Sequence, residues 1–209
     1  ASAQDLSGTS LEDRITQAGA DVSDIRGSLS LFQDAFKRKS WVEAIEPWEY
    51  VIKNVPLARV DLYTNGAWLF ENLIMQETDA AKKNEYFQKL MNIYDQRLKY
   101  MDALNSFATA KMTTTKGNIL CRKAYDYFTY CPSMNNDEAY KMFKEGIDDM
   151  GPNTEAFVLY AFITCSYNRF MANKDNVDIR QDFIQDYMET NDICDRLLDQ
   201  AKEYPSETI

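Results

Sequence analysis

This chain of 209 residues contains no histidine, and so lacks the side chain that most often moves protons near neutral pH. Ser–His and Cys–His nucleophile pairs and every His-bound metal site are absent with it. Carboxylates and thiols are what remain for chemistry. Asp148-Asp149 and the segment from Asp175 to Asp178 offer oxygen ligands, but neither has the alternating ligands and glycine of a calcium loop. Adjacent residues on a helix also point apart, so both are expected to be solvated acidic helix ends and loops. Lys116-Gly117-Asn118 marks a helix start, not a phosphate cradle. Cys121, Cys131, Cys165 and Cys194 contain no C-x-x-C pair. Cys121 and Cys131 stand roughly 15 Å apart along one helix, too far for a disulfide unless the helix ends early. Cys165 and Cys194 belong to different helices and could meet, although buried thiols are the simpler expectation. No catalytic, cofactor-binding or metal-binding residue is assigned, and the expectation is a protein that binds rather than catalyses. A carboxylate-based hydrolase stays as a weak alternative, requiring two acids roughly 5–9 Å apart in a deep pocket.

The elements that would carry a binding surface are helices. Only seven Gly and five Pro serve the whole chain, too few for many β-turns, while 45% hydrophobic residues supply a substantial core. The formal charge of −10 argues against general affinity for nucleic acid or anionic lipid. No apolar run approaches the roughly 20 residues that a membrane-spanning helix needs. Apolar residues recurring at three and four mark eight helical segments. Leu31, Phe32, Ala35 and Phe36 stripe the first, and Trp41, Ala44, Ile45, Trp48, Val51 and Ile52 its partner, with Ser40 as the expected cap. A second pair runs from Asp61 through Ile74, then from Tyr86 through Met101 after a charged connector over 78–84. The stretch from Leu104 to Thr115 breaks the pattern and reads as an inter-repeat loop. Gly117 opens a third pair, whose second helix is capped at Asn136 or Asp137. Pro152 opens the fourth, with Phe157, Tyr160, Ala161, Thr164, Tyr167 and Phe170 on one helix and Ile179 through Ala201 on the other.

Spacing adds a repeat. Val51, Trp48 and Ala44 lie five, eight and twelve residues before Pro56; Ala139, Phe143 and Gly146 repeat the steps of four and three before Gly151-Pro152, and Ile193, Leu197 and Pro205 echo them. With Tyr63/Gly66 and the run Ile93-Tyr94-Asp95-Gln96-Arg97-Leu98, these positions make the chain resemble exported tetratricopeptide-repeat proteins of Bacteroidetes over about residues 28–203. The resemblance implies an all-α, right-handed superhelical stack of antiparallel helix hairpins, irregular in its middle and about four hairpins long. Residues 1–26 are then a flexible lead and 27–205 a single repeat domain. Ala1-Ser2-Ala3 has the small-x-small form of a signal-peptide end, from which a periplasmic or otherwise exported address is expected. Function is expected in a concave groove lined by the first helix of each hairpin, holding a protein or peptide. Taking Gly66 and Gly117 as equivalent brings Tyr63, Phe70, Asn118, Arg122 and Tyr125 toward that groove, with Asn118 and Arg122 as grips for a backbone or carboxylate; for Tyr63, Phe70 and Tyr125 packing in the core is the simpler expectation, since aromatic stripes at helical spacing usually pack. The alternative is a structural subunit joined to an envelope assembly through a convex apolar patch.

Overall fold

The computed structural model describes residues 4–203, and its described residues contain helices and no strand. Contacts divide the chain after Thr115 into two compact units. The first carries α1 (Leu11–Gln17), α2 (Val22–Lys37), α3 (Trp41–Asn54), α4 (Asp61–Gln76) and α5 (Ala80–Phe107). The second carries α6 (Lys116–Tyr130), α7 (Asn136–Met150), α8 (Ala156–Ala172) and α9 (Val177–Glu203), with a 3-10 turn Gly151–Asn153 between α7 and α8. Ala1-Ser2-Ala3 and Pro205 lie outside the described residues.

In the first unit α4 is buried on two sides, because Leu62, Tyr63, Gly66, Ala67, Leu69, Phe70, Leu73 and Ile74 cover more than one stripe. It packs on α3 in front and α5 behind. The α3–α4 crossing is set by Trp48, whose indole lies so close to Gly66 that a Cβ there would stand 2.6 Å from the ring. Its Nε1 donates to the Leu62 carbonyl at 2.8 Å, satisfying the polar edge of a ring that is 5% exposed. Ring contacts then run from Trp48 to Phe70 (5.4 Å) and from Phe70 to Tyr86 (6.0 Å), tying α3, α4 and α5 together.

Ser40 sits at the N-cap position just before α3 as expected, but its side chain makes no capping bond. The turn is instead closed from the other side. Lys39 adopts φ 57°, and the amides of Lys39 and Ser40 return to the carbonyls of Phe36 and Ala35, the double closure that ends a helix. The connector expected over 78–84 is shorter. Asp79 accepts from the Lys82 amide, and α5 starts at Ala80. Nor does α5 stop near Met101: Ala103 and Leu104 are buried and extend its apolar stripe to Phe107, so the loop covers only 108–115.

Among residues 4–26, expected as part of a flexible lead, several side chains are packed. Leu6 and Ile15 are buried, and the Leu6 amide donates to Ser106 Oγ at 2.8 Å. Arg14 is 9% exposed. Its guanidinium donates to the carbonyls of Thr9 (2.7 Å), Leu57 (3.0 Å) and Ala58 (2.9 Å) and lies 3.9 Å from the Phe107 ring centre. One side chain thus joins α1, the α3–α4 loop and the end of α5. Desolvation lowers its pKa, and the carbonyls surrounding it provide the compensating hydrogen bonds.

In the second unit the closest approach is between α6 and α7, where a Cβ on Gly146 would stand 2.7 Å from the Cys121 amide nitrogen. Cys121, Ala124, Ala139, Phe143, Val158, Ala161, Phe162 and Cys165 form the core, and α8 packs against both α6 and α7. Gly117 does not play the part of Gly66. Its amide donates to Asp149 Oδ2 at 2.7 Å, so Asp149 caps α6 from the end of α7 and is more than a solvated acid. Asn135, one residue before the expected cap, accepts from the amides of Asp137 and Glu138 and starts α7. α9 is held by charge as much as by apolar contact. Arg169 of α8 meets Asp137 (3.0 Å) and Asp182 (2.8 Å), and Ser166 Oγ donates to the buried Asp186 at 2.7 Å.

Candidate functional site

Tyr63 and Phe70 do not face an open groove. Tyr63 is 2% exposed and donates its hydroxyl to the Pro56 carbonyl at 2.9 Å; burial pushes its phenol pKa well up. Phe70 is fully buried between Trp48 and Tyr86. Both belong to the core because α4 buries two stripes, so an α4 aromatic at helical spacing has packing partners on either side.

Asn118, Arg122 and Tyr125 fall at i, i+4 and i+7 on α6, one face of that helix, and the structure does bring them together. What they meet is the start of α8. Arg122 donates to Glu155 Oε1 at 2.7 Å, Asn118 Nδ2 to Glu155 Oε2 at 3.3 Å, and Tyr125 meets Phe157 edge-on at 4.9 Å. The Arg122 guanidinium also lies 5.5 Å from the Phe157 ring centre. Arg122 and Phe157 remain exposed, so this cluster is a surface rather than a core.

From Phe157 the surface continues along α8. Phe157, Tyr160, Thr164, Tyr167 and Met171 recur at three and four, and the four apolar members are 39%, 76%, 46% and 39% exposed. Val158, Leu159, Ala161, Phe162 and Cys165 occupy the buried side of the same helix. Tyr167 then contacts Phe183 of α9 (5.8 Å), and Phe183 contacts Tyr187 (6.4 Å), which is 52% exposed. The second unit therefore carries a strip of outward aromatic rings from Tyr125 on α6, across α8, to Tyr187 on α9. Tyr160 and Tyr167 stood in the sequence as members of a single apolar stripe. The signal that separates them from the core is that α8 is apolar on both faces, more than one buried face requires.

Chemistry on the thiols is unfavourable, because burial pushes Cys121 and Cys165 up to about 12, which keeps both protonated and unreactive. All four cysteines are free thiols, Cys194 among them. Among the described residues no group of three or more His, Cys, Asp or Glu is placed to hold a metal ion, and no helix is long and apolar enough to cross a membrane.

Comparison with protein-family models, with curated proteins and with solved structures returns no match to this chain.

Proposed function

We propose that this protein is a non-catalytic, tetratricopeptide-like scaffold that binds a protein or peptide segment through the aromatic strip of its second unit. The observation that carries the proposal is the outward stripe on α8, where Tyr160 and Tyr167 stand 76% and 46% exposed on a helix whose opposite face already fills the core. Contiguous apolar surface of this kind is costly to leave in water and marks an interaction site. Tyr and Phe are the usual anchors of such sites, since large rigid rings lose little entropy on binding. Arg122 and Asn118 border the strip, and an incoming carboxylate would compete with Glu155 for the Arg122 fork. Two features favour the repeat reading: consecutive helices pack in pairs, and small residues, Gly66 and Gly146, stand at the close crossings. A superhelical array of about four hairpins and an envelope address belong to the same proposal.

The test is affinity capture from cell extract with the unmutated protein and with a Tyr160→Ser/Tyr167→Ser double variant, followed by titration of the captured partner. Loss of the partner from a variant whose circular dichroism is unchanged supports the strip. An equal catch by both proteins refutes it. Fractionation of the source cells decides the address. A structural-subunit reading has its own support in the outer stripe of α9, where Val177, Ile184 and Met188 are 65%, 44% and 61% exposed. Concentration-dependent self-association in light scattering would favour it.

A further inference from the structure

The first unit carries a separate surface. A groove of about 550 Å³ runs between α2 and α3, within the range of cavities that hold ligands. On α2 its lining residues include Asp24, Leu31 and Ala35, and on α3 Glu46, Pro47 and Tyr50. Ala35, 2% exposed, forms the floor, while Leu31 and Tyr50, 66% and 43% exposed, stand at the rim. The apolar part of the groove is thus open and uncovered in this unit.

Its charge is one-sided. Three carboxylates line the groove, Asp24, Glu43 and Glu46, against one guanidinium, Arg38. Arg38 pairs with Glu43 at 3.1 Å. The carboxylates of Asp24 and Glu46 have no hydrogen-bond or ion-pair partner among the described residues, so the unpaired charge in the groove is negative. The backbone of α3 adds an acceptor without a helical donor. Pro47 has no N–H, so the Glu43 carbonyl four residues earlier lacks its helical donor. Leu31 and Tyr50 therefore ask for an apolar side chain, and the two free acids for a cation with N–H donors. A second copy of this chain, at a net charge of −10, brings the wrong sign.

We propose that the α2–α3 groove is a docking site for a basic amphipathic segment of a partner protein, with an apolar residue seated between Leu31 and Tyr50 and Lys or Arg side chains facing Asp24 and Glu46. This site is distinct from the aromatic strip and does not depend on it.

The test uses the full chain and two synthetic amphipathic helical peptides with the same leucines, one carrying lysines and the other glutamates. Binding is followed by calorimetry and located by amide chemical shifts. The lysine peptide is expected to bind and the glutamate peptide not to bind, with shifts centred on Leu31, Ala35 and Tyr50. Asp24→Asn/Glu46→Gln is expected to weaken the lysine peptide by about tenfold, two surface charges at roughly half that factor's energy each. Leu31→Ser is expected to weaken both its binding and its shifts, whereas Asp199→Asn on α9 is expected to leave it unchanged. Binding undiminished in the Asp24/Glu46 variant, shifts centred outside α2 and α3, or no binding at all would each overturn the proposal. So would a dimer in light scattering that Leu31→Ser dissolves, since the occupant would then be a second copy.

Discussion

Asp186 is 2% exposed, in contact with Ser166 of α8 and within 3.7 Å of Lys144 of α7. Burial raises its pKa above the ordinary 3.8, outweighing the Ser166 and Tyr140 hydrogen bonds and the Lys144 charge that oppose it. The folded state thus holds this proton more tightly than the unfolded chain does. Its contribution to stability is complete below the ordinary value and is lost as pH rises through the raised one. Asp186→Asn keeps a partner for Ser166 without the buried charge, and Lys144 keeps Asp148 and Glu189 within 4.0 Å. In urea denaturation at about pH 7 the variant is expected to be at least as stable as the unmutated protein, the difference closing as pH falls toward about 4. A variant weaker by more than about 1 kcal/mol at neutral pH would show that the ion pair outweighs burial. Arg14 gives the opposite case, a charge buried with its partners. Arg14→Ala strands the Ala58 and Leu57 carbonyls and is expected to lower unfolding free energy by about 2–3 kcal/mol. Arg14→Lys should recover only part of it, because one ammonium cannot reproduce the planar fork.

The helices show where sequence pattern decides structure and where it falls short. Trp48, Val51 and Pro56 mark the α3 face and its end, because their spacing reflects the geometry of a single helix. Tyr63 and Phe70 take the core alternative and not the groove: a helix packed between two others buries both flanks, and periodicity alone does not say how many neighbours a helix has. Likewise Gly117 and Gly66 look alike in sequence, yet one receives a carboxylate cap and the other an indole. Of the candidate site, the α6 face Asn118–Arg122–Tyr125 was legible from i, i+4, i+7 spacing, whereas its meeting with Glu155 and Phe157 depends on tertiary contact. Two glycines test the packing directly. Gly146→Ala would press a methyl onto the Cys121 backbone, which has no rotamer to yield, and is expected to cost about 1–3 kcal/mol in chemical denaturation. Gly27, inside α2, has nothing within 4 Å of an added Cβ, and Gly27→Ala is expected to stabilise by about 0.5–1 kcal/mol through helix propensity.

At the scale of the whole chain, each unit has its own core, one built around the Trp48–Phe70–Tyr86 rings and the other around Phe128, Phe143 and Phe162. The sequence shows a break in helical pattern from Leu104 to Thr115, but not that compactness also divides at its end, since that depends on which helices touch. Expressed separately as residues 1–115 and 116–209, the two halves are expected each to give a helical spectrum and a cooperative melt; a half that remains a random coil would show that it needs the other. The three tryptophans, Trp41, Trp48 and Trp68, all lie before Thr115. Indole fluorescence therefore watches only one half of the protein, with Trp48 sealed against Gly66 and Trp68 already 56% in water. Heating the intact chain while recording emission and ellipticity together would show whether the halves let go at one temperature or two, with no label added.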